Sequence, residues 1–101
     1  MNDIIVRCVN DKGYSYEYLS PDAKIAYGIV KKNGIMCIRD IIDVMTNEYG
    51  YRFRTYERAK NRLVRYMRIL EDRGFVETVA IGENNAKYYK AREFEWVYEM
   101  E

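Results

Sequence analysis

Between Thr55 and Gly74 the chain carries an unbroken helical pattern with two unlike sides. At about 100° per residue, Tyr56, Ala59, Leu63, Tyr66, Met67 and Leu70 fall within roughly one third of the circumference. Thr55 suits the N-cap of such a helix and Gly74 suits its stop. A stripe of this length needs other elements to cover it, so the segment at about 55–72 is expected to lie across a packed layer. Its far side then faces water. That side bears Arg58, Asn61, Arg65 and Arg68, with Arg62 at the flank.

The covering elements are readable on either side. Ser20-Pro21-Asp22 gives an N-cap, a proline at the first helical position and an acid at the positive end of the dipole. Ile25, Ala26, Ile29 and Val30 follow at helical spacing, and Asn33-Gly34 ends the pattern. Residues 35–38 (IMCI) read as a buried β-bridge or turn. A second helix is expected from about Ile38 to Glu48, with Ile38, Ile41, Ile42 and Met45 on one face and Gly50 after it. Beyond Gly74, Phe75–Ile81 and Ala86–Arg92 flank Gly82-Glu83-Asn84-Asn85, which predicts a β-hairpin.

The two ends are less determined. Residues 4–9 and 14–19, separated by Asn10-Asp11-Lys12-Gly13, predict an N-terminal hairpin with Tyr14, Tyr16 and Tyr18 on one face. The tail at 94–100 (FEWVYEM) fits either a strand or a short helix. The expectation is one α+β domain over 1–101: a β extension at 1–19, a core at 20–93 and an aromatic tail at 94–101.

Net charge, +1 overall, becomes informative only when divided. Residues 1–50 carry six Lys/Arg and seven Asp/Glu, a net −1. Residues 51–74 carry eight and three, a net +5, and residues 75–101 carry three and six, a net −3. Arg52, Arg54, Arg58, Lys60, Arg62, Arg65 and Arg68 place seven cations against one acid, Glu57. An ordinary solvated helix face mixes signs and gains from i,i+4 acid–base pairs. This one repels itself at Arg58/Arg62 and Arg65/Arg68, a cost that makes sense when the partner is an anion. A helix fits the major groove of DNA, where Arg pairs bidentately with guanine and Asn with adenine. If about five phosphates were neutralised, log K would fall against log salt with a slope of roughly −4.5.

Other classes find little support in the residues. There is no histidine for general-base work, no Gly-rich phosphate loop and no metal-ligand spacing, so neither an enzyme, a metal nor a cofactor is expected, and no small-molecule site is evident. Asp40 and Asp43, at i,i+3, read as surface carboxylates. Cys8 and Cys37 read either as small buried hydrophobes or as a disulfide tying the N-terminal segment to the body. Tyr51, Tyr56, Tyr88 and Tyr89 read either as core or as hydroxyls reaching phosphates. No run is long and apolar enough to span a membrane, and the start lacks a signal peptide's basic and apolar regions, which makes an intracellular, cytoplasmic location the expectation.

The run at 62–77 (RLVRYMRILEDRGFVE) resembles the end of the recognition helix and the start of the wing in winged helix-turn-helix repressors, among them the multiple-antibiotic-resistance and arsenic-repressor types. Leu70, then Glu71-Asp72-Arg73, then Gly74-Phe75-Val76 carries the likeness, and 85–93 (NAKYYKARE) resembles the second wing strand. The resemblance covers about 20–93. It implies three helices with a C-terminal β-hairpin wing and a DNA-binding, transcription-regulating role. It also implies that Arg58, Asn61, Arg62 and Arg65 face DNA and that Lys87 sits near the wing. Arg52, Arg54, Lys60 and Arg68 would then hold the backbone, with Lys87 and Lys90 supporting from the wing. The wing tip, Glu83-Asn84-Asn85, lacks the Arg or Lys that many such wings insert into the minor groove. Size and tyrosine richness are similar to small regulators of archaea and their viruses, for which the compartment would be the host cytoplasm. Aromatics at both ends (Tyr14, Tyr16, Tyr18, Phe94, Trp96 and Tyr98) exceed what a small core covers, which predicts that the ends pack together and form, or help form, a homodimer interface; the competing reading is that they cap the monomer's own core. The alternative is a winged helix used as a protein-interaction module, favoured by the acidic flanks and the non-basic wing tip.

Overall fold

Three helices form where caps and periodicity predict them. Helix α1 (Pro21–Asn33) opens on Ser20, whose hydroxyl accepts from the Ala23 N–H at 3.3 Å. It ends at Gly34, where φ is 92°, a left-handed value that glycine adopts without the Cβ clash other residues meet. Strand β2 (Met36–Cys37) leads into α2 (Ile38–Glu48). The Asp40 carboxylate accepts from the Cys37 N–H at 3.3 Å, so this acid caps its own helix. Helix α3 (Tyr56–Asp72) starts with the Thr55 hydroxyl accepting from the Arg58 N–H at 3.2 Å. The computed structural model that carries these elements describes residues 6–93 and 97–100.

Strands β3 (Val76–Ile81) and β4 (Lys87–Ala91) make the expected hairpin. Asn84 and Asn85 turn it with φ values of 56° and 60°, a region asparagine tolerates better than most side chains. The sheet order is β2-β4-β3, antiparallel throughout, with Met36 opposite Tyr89 and Thr78 opposite Tyr89 from the other side. The molecule is therefore α+β, three helices on a three-stranded antiparallel sheet. Ile29, Val30, Ile41, Met45, Leu63, Met67, Leu70 and Phe75 are fully buried between the layers. Each contributes about 1.5–3 kcal/mol of transfer free energy. Among the described residues no helix is long and apolar enough to cross a membrane.

The α3 stripe holds with one exception. Ala59, Leu63, Met67 and Leu70 are buried and Tyr66 is half-buried, but Tyr56 is 51% exposed. It occupies the first helical position, and Lys60, one turn later on the same side, is exposed as well. Burial on this helix begins at Ala59.

The N-terminal hairpin does not form as expected. The turn at 10–14 is present: the buried Asn10 accepts from the N–H groups of Lys12 and Tyr14 at 3.1 and 2.9 Å, and donates to the Arg73 carbonyl at 2.9 Å. Among the described residues a single bridge, Val9 with Ser15, closes it. Residues Tyr16–Tyr18 then coil into a 3₁₀ turn that delivers the chain to Ser20. That turn breaks the alternation of the tyrosines: Tyr16 packs on Tyr27 with centroids 5.8 Å apart, while Tyr14 and Tyr18 stay exposed. The partner of β1 (Val6–Val9) is instead β5 (Val97–Met100), paired antiparallel from Val6 opposite Met100 to Val9 opposite Val97. The two ends thus meet, and the described part of the tail is a strand. The expected burial of Phe94 and Trp96 lies outside the described residues, as do the side chains of Tyr98 and Cys8. Cys37 is buried with a free thiol, so the disulfide alternative is not realised.

Candidate nucleic-acid interface

The outer face of α3 is built by the same periodicity that buries its inner face. Arg58, Asn61, Arg65 and Arg68 are exposed, separated by three, four and three residues. At 1.5 Å per residue they form a ridge about 15 Å long. Lys60 is exposed beside it. Among the described residues, no carboxylate lies within ion-pair distance of Arg58, Lys60, Arg65 or Arg68. Among the described residues no ion pair offsets their mutual repulsion.

Arg52 and Arg54 continue the cationic surface from the loop that precedes α3. In that loop inward and outward side chains alternate: Tyr51 and Phe53 are half-buried, and Arg52 and Arg54 are exposed. The Tyr51 and Phe53 rings stack at 5.7 Å with 19° between their planes.

Arg62 stands apart from the other arginines. Its guanidinium lies 3.1 Å from Asp22 Oδ2 and 5.4 Å from the Phe53 ring, and it donates to the Tyr66 hydroxyl at 3.2 Å. The Tyr66 hydroxyl donates to Asp22 Oδ2 at 3.0 Å, and the Tyr51 hydroxyl donates to Asp22 Oδ1 at 2.7 Å. One carboxylate at the start of α1 therefore gathers α3 and the loop before it. The Tyr51 hydrogen bond, aided by Tyr66 and Arg62, holds the Asp22 carboxyl below the usual carboxylate range, against the opposing pull of partial burial. Desolvation and the Asp22 acceptor push the Tyr51 hydroxyl up to about 12. The sequence placed Arg62 at the flank of the helix, and there it is engaged with the protein's own groups rather than held out with Arg58 and Arg65.

The hairpin separates its two lysines. Lys87 and Lys90 are three apart on β4, so they project from opposite faces of the strand. Lys87 lies toward α3, with Nζ 4.0 Å from Glu71 Oε1. Glu71 also accepts from the Thr78 N–H at 3.1 Å and from the Thr78 hydroxyl, which fastens the root of the hairpin to the last turn of α3. Lys90 instead lines a shallow cleft of about 460 Å³ with Tyr27, Lys31 and Gly34 at the end of α1. It does not join the α3 ridge. The hairpin tip is exposed and carries Ile81, 66% accessible, and Glu83.

The tyrosines divide similarly. Tyr89 is buried, Tyr88 is half-buried, Tyr51 is committed to Asp22, and Tyr56 alone of the four is broadly open. Asp22, Phe53 and Tyr66 were not readable as one group, because up to 44 residues separate hydrogen-bonded partners. The i,i+4 pair Arg62/Tyr66 and the alternation over 51–54 were the local traces of it. Comparison with known protein families, with curated proteins and with solved structures returns no match.

Proposed function

We propose that this protein is a winged helix-turn-helix domain that binds duplex DNA with α3 in the major groove. Helix, short strand, helix, helix, hairpin, with sheet order β2-β4-β3, supports the winged-helix reading. The observation that carries the DNA reading is the ridge Arg58, Asn61, Arg65 and Arg68, exposed and without internal counter-ions among the described residues. Surface helices gain from mixing charges, so a one-sign ridge is expected where a polyanion supplies the missing charge. Arg58, Asn61 and Arg65 are the proposed base readers. Arg52, Arg54, Lys60 and Arg68 are the proposed phosphate contacts, with Lys87 beside them.

Arg62 and Lys90 take other roles in this reading. Arg62 belongs to the internal network, and Lys90 lies on the other face of the sheet. The role served is transcriptional regulation by a homodimer whose two α3 helices lie about one DNA turn apart on a palindromic site. The ends, β1 paired with β5 within one chain, are the element proposed to meet its counterpart in that dimer. A second reading, docking of another protein on the hairpin, is favoured by the exposed Ile81 and Val79 and by the acidic Glu83 at its tip. Selection of bound sequences from a pool of random duplexes tests the proposal. A recovered palindromic motif is the expected result, and no enrichment over the input pool contradicts it.

A further inference from the structure

The loop at 49–55 connects α2 to α3 without regular structure, yet it carries two of the cations that would meet DNA. Its backbone has little to hold it: the Tyr51 N–H donates to the Met45 carbonyl at 3.1 Å, and beyond that point the loop relies on side chains. Those side chains converge on α1 and α3. The Tyr51 hydroxyl reaches Asp22 at 2.7 Å, the Tyr51 ring stacks on Phe53, and Phe53 lies under the Arg62 guanidinium, itself held by the same carboxylate. Burial alternates along 51–54, so the contacts that hold Tyr51 and Phe53 inward leave Arg52 and Arg54 on the outer side of the loop.

We infer that Asp22 and Tyr51 are positioning residues for DNA binding: their hydrogen bond fixes the loop so that Arg52 and Arg54 stand ready beside the start of α3. This rests on the DNA-binding reading given above. Neither Asp22 nor Tyr51 need touch DNA. Their contribution is to hold the two arginines where they can meet phosphates; on a loosened loop the cost of ordering them exceeds what each contact returns, and the contacts drop out of the complex.

The test is the salt dependence of duplex affinity, measured by fluorescence anisotropy, for Tyr51→Phe, Tyr66→Phe, Arg52→Ala/Arg54→Ala, and the triple variant combining the last with Tyr51→Phe. For every phosphate that is no longer neutralised, the slope of log K against log salt becomes shallower by about 0.9. Tyr51→Phe should lose up to about 1.8 in slope, approaching the double arginine variant, and should add nothing in the triple variant. Tyr66→Phe removes a hydroxyl from the same carboxylate but not from the loop, and should keep the wild-type slope. Asp22→Asn serves as a second probe of the anchor and should shift the slope in the same direction as Tyr51→Phe. If Tyr51→Phe and Asp22→Asn lower the melting temperature but leave the slope unchanged, the two residues are merely structural and the inference fails while DNA binding stands. The inference also fails if Tyr66→Phe changes the slope as much as Tyr51→Phe. If the wild-type protein binds no duplex at low salt, the functional reading fails and takes the inference with it.

Discussion

Replacing Arg58 and Arg65, the two proposed base-reading arginines of α3, together with alanine separates binding from folding. Both side chains are exposed and neither has an ion-pair partner among the described residues. Surface substitutions of this kind move folding stability by about 0.5 kcal/mol or less, and alanine is itself the best helix former. The variant should therefore melt like the wild type. Binding should respond strongly. A bidentate arginine–guanine pair contributes about 1–3 kcal/mol of discrimination, so two such pairs correspond to roughly 30-fold or more in affinity for the preferred site. If the two side chains meet only phosphates, the loss appears instead as a slope shallower by about 1.8 in log K against log salt, with no change in sequence preference. Anisotropy titrations on a selected and a scrambled duplex at several salt concentrations distinguish these outcomes, with a thermal melt as the folding control. Arg62→Ala is the instructive contrast. It breaks the ion pair with Asp22, whose side chain and that of Arg62 are 34% and 38% exposed, so it should cost at most about 1 kcal/mol of stability and affect binding less. A double Arg58/Arg65 variant that folds and binds with unchanged affinity, slope and preference would refute the assignment of α3 as the reading element.

Further outcomes follow from the same geometry. Asp22, with its folded pKa depressed, stabilises the protein above the unfolded carboxylate range, and that contribution is lost as pH falls through the folded value; in urea titrations the stability of Asp22→Asn should decline less steeply than the wild type below about pH 4. Tyr51, raised to about 12, stabilises below pH 10 and loses that contribution as pH climbs through its folded value, so Tyr51→Phe should flatten the alkaline limb of the same curve. Asn10→Ala strands the Lys12 and Tyr14 N–H groups and the Arg73 carbonyl and should cost up to ~3 kcal/mol by chemical denaturation; a cost near zero would show that the turn anchors nothing. Light scattering should give twice the chain mass of 12.1 kDa at micromolar concentration, and a mass near 12.1 kDa would end the dimer proposal.

The sequence announced what is local and concealed what is distant. Ser20, Thr55, Gly34 and Gly74 mark helix ends through side-chain and backbone chemistry confined to a few residues, and each does so in the structure. The α3 faces were legible because helical period alone decides them. Asp40, read as a surface acid, is exposed, and from there it also caps α2 through the Cys37 N–H three residues before it. Two β-prone runs around Asn10–Gly13 argued for a hairpin, but β propensity does not specify a partner, and the far end of the chain supplied one. The Asp22 network was hidden for the same reason. Asp22 looked complete as a first-turn acid meeting the helix dipole, and Arg62 looked like one more cation in a basic run. Only tertiary packing shows that the two neutralise each other while Arg58 and Arg65 do not.

The central claim is that the cations around α3 await a polyanion, and the salt dependence of wild-type affinity for duplex DNA tests it most directly. If Arg52, Arg54, Arg58, Lys60, Arg65, Arg68 and Lys87 all meet phosphates, the slope of log K against log salt is roughly −6.3 per protomer, and if Arg58 and Arg65 read bases instead it is about −4.5. A measured slope between those values is the predicted result. No binding at low salt, or an affinity indifferent to salt, would contradict the account.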